Sequence, residues 1–218
     1  MSHLKKDHIF LILAVVLNIL SVLGEIAWLV IYRNSLRWGM MIMFTNESNF
    51  LSAGASLIYV ICAIRKLKAG KEIPKWVVTY RFIGCVCMVM TCLTIALILS
   101  PMAGPFPQGY VDLMFSKYLF WTHTFCPLTT AISFLFFEKE TFPFAQMKVL
   151  LGMTPVVLYA IVSTLMNLLR LWDGPYPFLR VYDQPVWMSV VWFFLLVGAG
   201  WLFSFLVVLL RSRMCKDR

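Results

Sequence analysis

Charge is scarce in this chain: Asp, Glu, Lys and Arg together make up 13% of its 218 residues. A soluble domain carries roughly a quarter, so the sequence cannot cover a water-facing surface of normal composition. Long polar stretches are missing too, which leaves no segment from which a separate soluble domain could be built. The cysteines (62, 85, 87, 92, 126 and 215) form no CxxC pair and lie mostly within apolar runs. That excludes a zinc knuckle and a secreted disulfide framework and leaves them as small hydrophobes. Histidine is nearly absent: beyond residue 8 only His123 remains, too little for a metal centre of three or four ligands. No serine elbow, HExxH or phosphate loop occurs. The inventory predicts no metal and no cofactor.

What the chain has in excess is apolar length. Hydrophobic residues are 61% and aromatics 16% of the sequence, with a mean hydropathy of +0.83. A bilayer-crossing helix needs roughly 17–25 apolar residues, and six runs qualify: 9–32, 44–64, 77–100, 118–137, 149–169 and 185–210. In lipid the backbone groups must pair within their own segment, so such runs predict helices. The predicted fold class is all-α, a polytopic membrane protein with a single six-helix transmembrane domain over residues 1–218. Lys5 and Lys6 ahead of the first run, with no small-residue cleavage site after it, suit a retained anchor.

The net charge of +9 is unevenly placed. With six spans, fourteen basic residues, among them Arg65, Lys66, Arg81, Lys139 and Arg211, fall on one side and five on the other. Such an excess marks the cytoplasmic side, so both termini are expected there. Topology and anionic lipid headgroups account for the basic charge, and no nucleic-acid partner is expected. The connection "SPMAGPFPQGYVDLMFSK" is rich in proline and glycine and is predicted to start no helix. The connection "WDGPYPFLRVYDQPVW" carries Trp172, Tyr176, Phe178, Tyr182 and Trp187, and either lies at the interface or folds over the bundle. Pro127 and Pro155 each free a backbone carbonyl inside a span and can kink it.

Alternating topology assigns depth to the polar residues. Glu25, then Thr45, Ser48 and Asn49, then Thr122, His123 and Thr124, then Ser163, Thr164 and Asn167 all fall in the outer parts of four spans, and the inner half is expected to hold far fewer polar groups. Helical spacing aligns Thr45, Ser48, Asn49, Ser52, Ser56 and Tyr59 on one face; His123, Cys126, Thr130 and Ser133 on another; and Tyr159, Ser163 and Asn167 on a third. Polar stripes avoid hydrocarbon, so the three are expected to converge on an outward-opening pocket. Two readings fit each feature. Ser48, Ser52 and Ser56 also make a small-xxx-small packing ladder. Glu25 is either functional or snorkels to the interface. His123 is either a base, with Thr45 as the hydroxyl it activates, or a bond to a neighbouring helix. Glu47 reads as solvated, and Glu138, Lys139 and Glu140 read as a plain boundary.

The segments "FTNESN" at the start of the second span, "HTFCP" within the fourth and "FFE" at its end carry a resemblance. They are similar to the androgen-induced and androgen-dependent TFPI-regulating membrane proteins. They look still more like that family's bacterial six-span relatives with an F-T-x-x-S-N segment. The resemblance implies an intramembrane hydrolase of lipid (fatty-acyl) esters in a bacterial cytoplasmic membrane, with Thr45 as nucleophile and His123 as general base. Asn46, Asn49 or Thr124 would then polarise the carbonyl, and membrane lipid would supply the ester. "NESN" is more polar than the corresponding animal segment. The competing expectation is a non-catalytic protein that binds or transports a small polar or amphipathic ligand, lined by Glu25, Asn46, Ser48, Asn49, Thr124, Tyr159, Ser163 and Asn167.

Overall fold

The computed structural model describes residues 2–32 and 38–216, with side chains over 7–32 and 39–214. Arg33, Arg37 and Arg218 of the charge count lie outside these residues, as do the side chains of Lys5, Lys6, Cys215 and Lys216. The described residues form helices and connections, with no strand among them.

Five helices are long and apolar enough to cross a membrane. They are α1 (Ser2–Tyr32), α2 (Phe44–Ala69), α3 (Lys75–Ala103), α6 (Gln146–Leu168) and α7 (Val186–Lys216). Their outward faces are apolar, as Ile12, Val16, Ile19, Leu23 and Ile26 show on α1. This is the composition of an integral membrane protein, whose helices need no polar outer face. Between α2 and α3 the chain reverses at Gly70, which ends α2 at φ 67° with its N–H on the Lys66 carbonyl. A residue without Cβ adopts this left-handed geometry at no steric cost.

The run 118–137 is helical but not one regular α-helix. Here α5 comprises a π turn (Trp121–Phe125), an α segment (Cys126–Ile132) and a second π turn (Ser133–Phe137). The cause of the first is Pro127, which offers no N–H and crowds the preceding turn. The Cys126 N–H therefore reaches back to Trp121. Pro101 has the same effect in α3, where the π turn Ile95–Leu99 precedes it. Single π turns of this kind concentrate at functional sites.

The connection 100–117 departs from the expectation of no helix. It contains α4, made of Gln108–Tyr110 and a π turn, Val111–Phe115. Pro107 precedes its first residue, and proline fits a helix start, where a missing N–H removes no bond. A Cβ on Gly109 would strike the Ser100 carbonyl, so glycine lets α4 fold against the end of α3.

Helix α3 is the common wall of the bundle: α2 and α5 pack on it from one side, α6 and α7 from the other. One apolar core, including Tyr59, Val77, Phe82, Phe134, Val149 and Val208, gathers all the long helices at the basic end. A second core at the opposite end joins Met90, Val156 and Leu196 to Phe178 and Leu179 of the connection 169–185. That connection therefore folds over the helices.

The basic end corrects three expectations. Glu138 is not a plain boundary: it is fully buried and pairs with Arg81 at 2.8 Å. Arg81 and Arg211 do not face headgroups, because both are fully buried within the bundle. The half of the bundle expected to be poor in polar groups instead holds a network. Glu138 Oε1 accepts from Arg81 Nε and Nη2, Ser133 Oγ and Asn18 Nδ2, while Arg81 Nη1 donates to Ser56 Oγ. One carboxylate thus ties α1, α3 and α5, and Arg81 carries the link to α2.

Candidate functional site

Polar positions at i, i+3 and i+4 on α2 all turn inward: Thr45, Ser48, Asn49, Ser52, Ser56 and Tyr59 are buried. On α5, Cys126, Thr130 and Ser133 are buried likewise, whereas His123 of the same stripe is half-buried; Thr122 beside it is buried. The two stripes meet where Ser52 and Thr130 share a 3.1 Å bond and where Asn49 Nδ2 donates to the Thr122 carbonyl. Helix α1 supplies a third polar row, Asn18, Ser21 and Glu25, all buried; Ser21 bonds Thr130. Glu25 does not snorkel. It lies beside Cys126 within the bundle, and among the described residues neither carboxyl oxygen has a hydrogen-bond partner.

Thr45 sits in the first turn of α2. The first N–H groups of a helix lack intrahelical partners, and Met43 at the N-cap supplies no side-chain bond. Tyr176 from the folded-over connection fills that role. Its hydroxyl accepts from the Thr45 N–H at 3.2 Å and lies 3.1 Å from Thr45 Oγ1. Desolvation holds the Tyr176 phenol above the ordinary tyrosine range, so the group facing Thr45 is a protonated donor. With its oxygen accepting the Thr45 N–H, the phenol can direct its own proton at Thr45 Oγ1. The threonine proton is then left for another acceptor.

His123 lies in the π turn of α5 and is anchored from α4. Its Nδ1 is 2.6 Å from the Leu113 carbonyl, and the next side chain, Thr124, donates to the Met114 carbonyl at 2.8 Å. A carbonyl only accepts, so Nδ1 carries the proton and Nε2 is the acceptor. Thr45 and His123 do not hydrogen-bond to each other directly, but both line one cavity of about 460 Å³, with Asn46, Tyr176, Trp28 and Tyr32 in the same wall.

The other candidates divide. Asn46 lines the cavity and donates one N–H to the Met40 carbonyl, which leaves its second N–H available. Asn49 commits both to the carbonyls of Thr45 and Thr122, and Thr124 commits its hydroxyl to Met114. Ser48 bonds Thr91 and the Thr45 carbonyl. These three hold the site's walls. Tyr159 belongs to a neighbouring cavity and donates to the Ile42 carbonyl. Ser163 is buried on α6 and lines neither of these two cavities. Asn167 ties α6 to the connection above it through the Trp172 carbonyl and the Val181 N–H.

Tyr176 is the site residue that sequence reasoning placed only within a connection lying at the interface or folded over the bundle, not at Thr45. Replacing it with Phe keeps the ring and removes both bonds to Thr45. The expected result is a drop in any Thr45-dependent labelling rate of about 10²-fold, the scale for losing one donor at a reacting oxygen, with melting temperature nearly unchanged. Labelling by a fluorophosphonate, followed over time in Tyr176→Phe and wild type, reads this directly.

Comparison with known proteins adds no relative: no family model, no curated protein and no solved structure matches the chain.

Proposed function

We propose that the protein is an intramembrane hydrolase of lipid esters that uses Thr45 as nucleophile and His123 as base. The observation that carries this is the shared cavity, in which a hydroxyl contacted by a phenol and an imidazole with a fixed acceptor nitrogen face the same space. Thr45 Oγ1 attacks the ester carbonyl carbon, and its proton passes to His123 Nε2. The Asn46 N–H that makes no bond among the described residues is the donor at hand for developing negative charge. The carbon–oxygen bond to the alcohol then breaks, and His123 returns the proton to the leaving oxygen. Water attacks the acyl-threonine, gives a proton to His123, and releases the fatty acid as that proton goes back to Thr45.

In this proposal α5 is a sixth span and both termini lie on the cytoplasmic side with the basic end, in a bacterial cytoplasmic membrane. Single cysteines at Lys71 and Asp173, in a background without native cysteine, should react with a membrane-impermeant maleimide from opposite faces. Equal labelling of both from outside intact cells would overturn the topology. The hydrolase itself is tested by fluorophosphonate labelling of wild type and Thr45→Ala. Labelling undiminished in Thr45→Ala removes Thr45 from the mechanism.

The second reading, a non-catalytic binder or transporter, is favoured by one observation: Glu25 is a buried carboxyl without a hydrogen-bond partner among the described residues. It predicts ligand binding that survives Thr45→Ala and is lost in Glu25→Gln.

A further inference from the structure

Thr45 and Tyr176 stand between two cavities. On one side is the space shared with His123; on the other is a smaller cavity of about 40 Å³ whose far wall is built from Val156, Ala160, Phe178 and Leu196. Ile95 and Leu99 complete the shared partition. Its polar neighbours are largely occupied, because Thr91 bonds Ser48 and Tyr159 bonds the Ile42 carbonyl. Beyond it, a groove of about 200 Å³ along α3 and α7 shares Met90, Thr94 and Leu196 with the small cavity. Met90, Thr94 and Leu196 separate the cavity from the groove.

We propose that the small cavity is the acyl pocket, so that the substrates are esters of short, unbranched acyl chains on a large apolar alcohol. This rests on the hydrolase reading. Three observations fix the orientation. The leaving oxygen needs a proton from His123, and His123 lines only the large cavity of the two. The small cavity offers apolar walls and no base, which suits an alkyl chain and penalises any oxygen on it. The alcohol side, at about 460 Å³ between Trp28, Tyr32 and Met43, has room for a bulky group.

Size sets the chain length. A water position needs about 10–15 Å³ of such volume, so the pocket holds about three to four carbons beyond the carbonyl. Each methylene buried should raise kcat/KM about fourfold until the pocket is full. A longer chain must displace Leu196 and enter the groove.

The test uses the full-length protein in lipid nanodiscs with 4-methylumbelliferyl acetate, butanoate and octanoate. Ratios of kcat/KM between esters are compared, because they do not depend on the fraction of folded protein. Wild type should prefer butanoate to acetate by about tenfold or more. Leu196→Ala opens the wall and should raise the octanoate-to-butanoate ratio at least tenfold. Ala160→Leu fills the pocket and should lower the butanoate-to-acetate ratio by a similar factor. Thr45-dependent hydrolysis whose ratios move in neither variant overturns the acyl pocket and leaves the hydrolase standing. Hydrolysis of none of the esters, or hydrolysis undiminished in Thr45→Ala, overturns the hydrolase. A five-carbon fatty acid with a diazirine at its fourth carbon, short enough for the pocket, gives a readout without turnover. Crosslinks at Val156, Ala160 or Leu196 support the pocket, and crosslinks confined to the lipid-facing surface overturn it.

Discussion

Replacing Glu138 with Gln is expected to destabilise the bundle by about 3–5 kcal/mol, the cost of leaving the partner of a buried ion pair uncompensated. The reason lies in the count of donors: Glu138 Oε1 accepts from Arg81 twice, from Ser133 and from Asn18. A neutral amide keeps an acceptor oxygen but removes the charge that balances Arg81 where neither side chain is exposed. Arg81→Met should be as costly, since it leaves the carboxylate without its counter-charge. The double variant Arg81→Met with Glu138→Leu should be less unstable than either single one, because two apolar groups of similar volume need no pairing. Thermal unfolding followed by a thiol-reactive dye suits this chain, since Cys85 and Cys87 are free and fully buried. Single variants should melt about 10 °C lower or more. Single variants that melt like wild type would show that the network contributes little. A double variant that loses the sum of both would show that the two residues act independently.

Thr45→Ala should abolish fluorophosphonate labelling and lower ester hydrolysis by about 10³-fold or more, the scale for deleting a nucleophile from an acyl-transfer site. The fold should tolerate the change. Apart from its backbone bonds, Thr45 loses one hydroxyl contact, to Tyr176, worth about 1 kcal/mol. His123→Ala should lower hydrolysis by about 10²–10⁴-fold, and Thr45→Ser should retain part of the activity. A Thr45→Ala protein that melts like wild type and still turns over the ester would remove the mechanism without appeal to misfolding.

The inward faces of α2 and α5 were legible because helical spacing is a property of the chain itself. Thr45, Ser48, Asn49, Ser52 and Ser56 recur every three or four residues, and all are buried. The row Asn18, Ser21, Glu25 on α1 follows the same spacing and could have been found by the same signal. Glu138 and Arg81 could not. Each lies at the edge of an apolar run, where sequence predicts a solvated charge, and only the approach of α3 to the end of α5 makes them a pair. Tyr176 was equally hidden. An aromatic in a connection suits a membrane interface, and its contact with Thr45 depends on how residues 169–185 fold back.

By itself the sequence determined that the chain is all-helical and membrane-competent, because hydrophobic length and backbone satisfaction in lipid are local requirements; of its six apolar runs, five are long membrane-competent helices in the structure. It also determined that the polar face of α2 turns inward. Tertiary structure alone decided that His123 is anchored by α4. It also decided that Thr45 shares one cavity with His123 and a second with Tyr159. The physical reason is that periodicity fixes the direction of a side chain around its own axis, whereas its partner depends on the packing of other helices and connections, which no local pattern encodes.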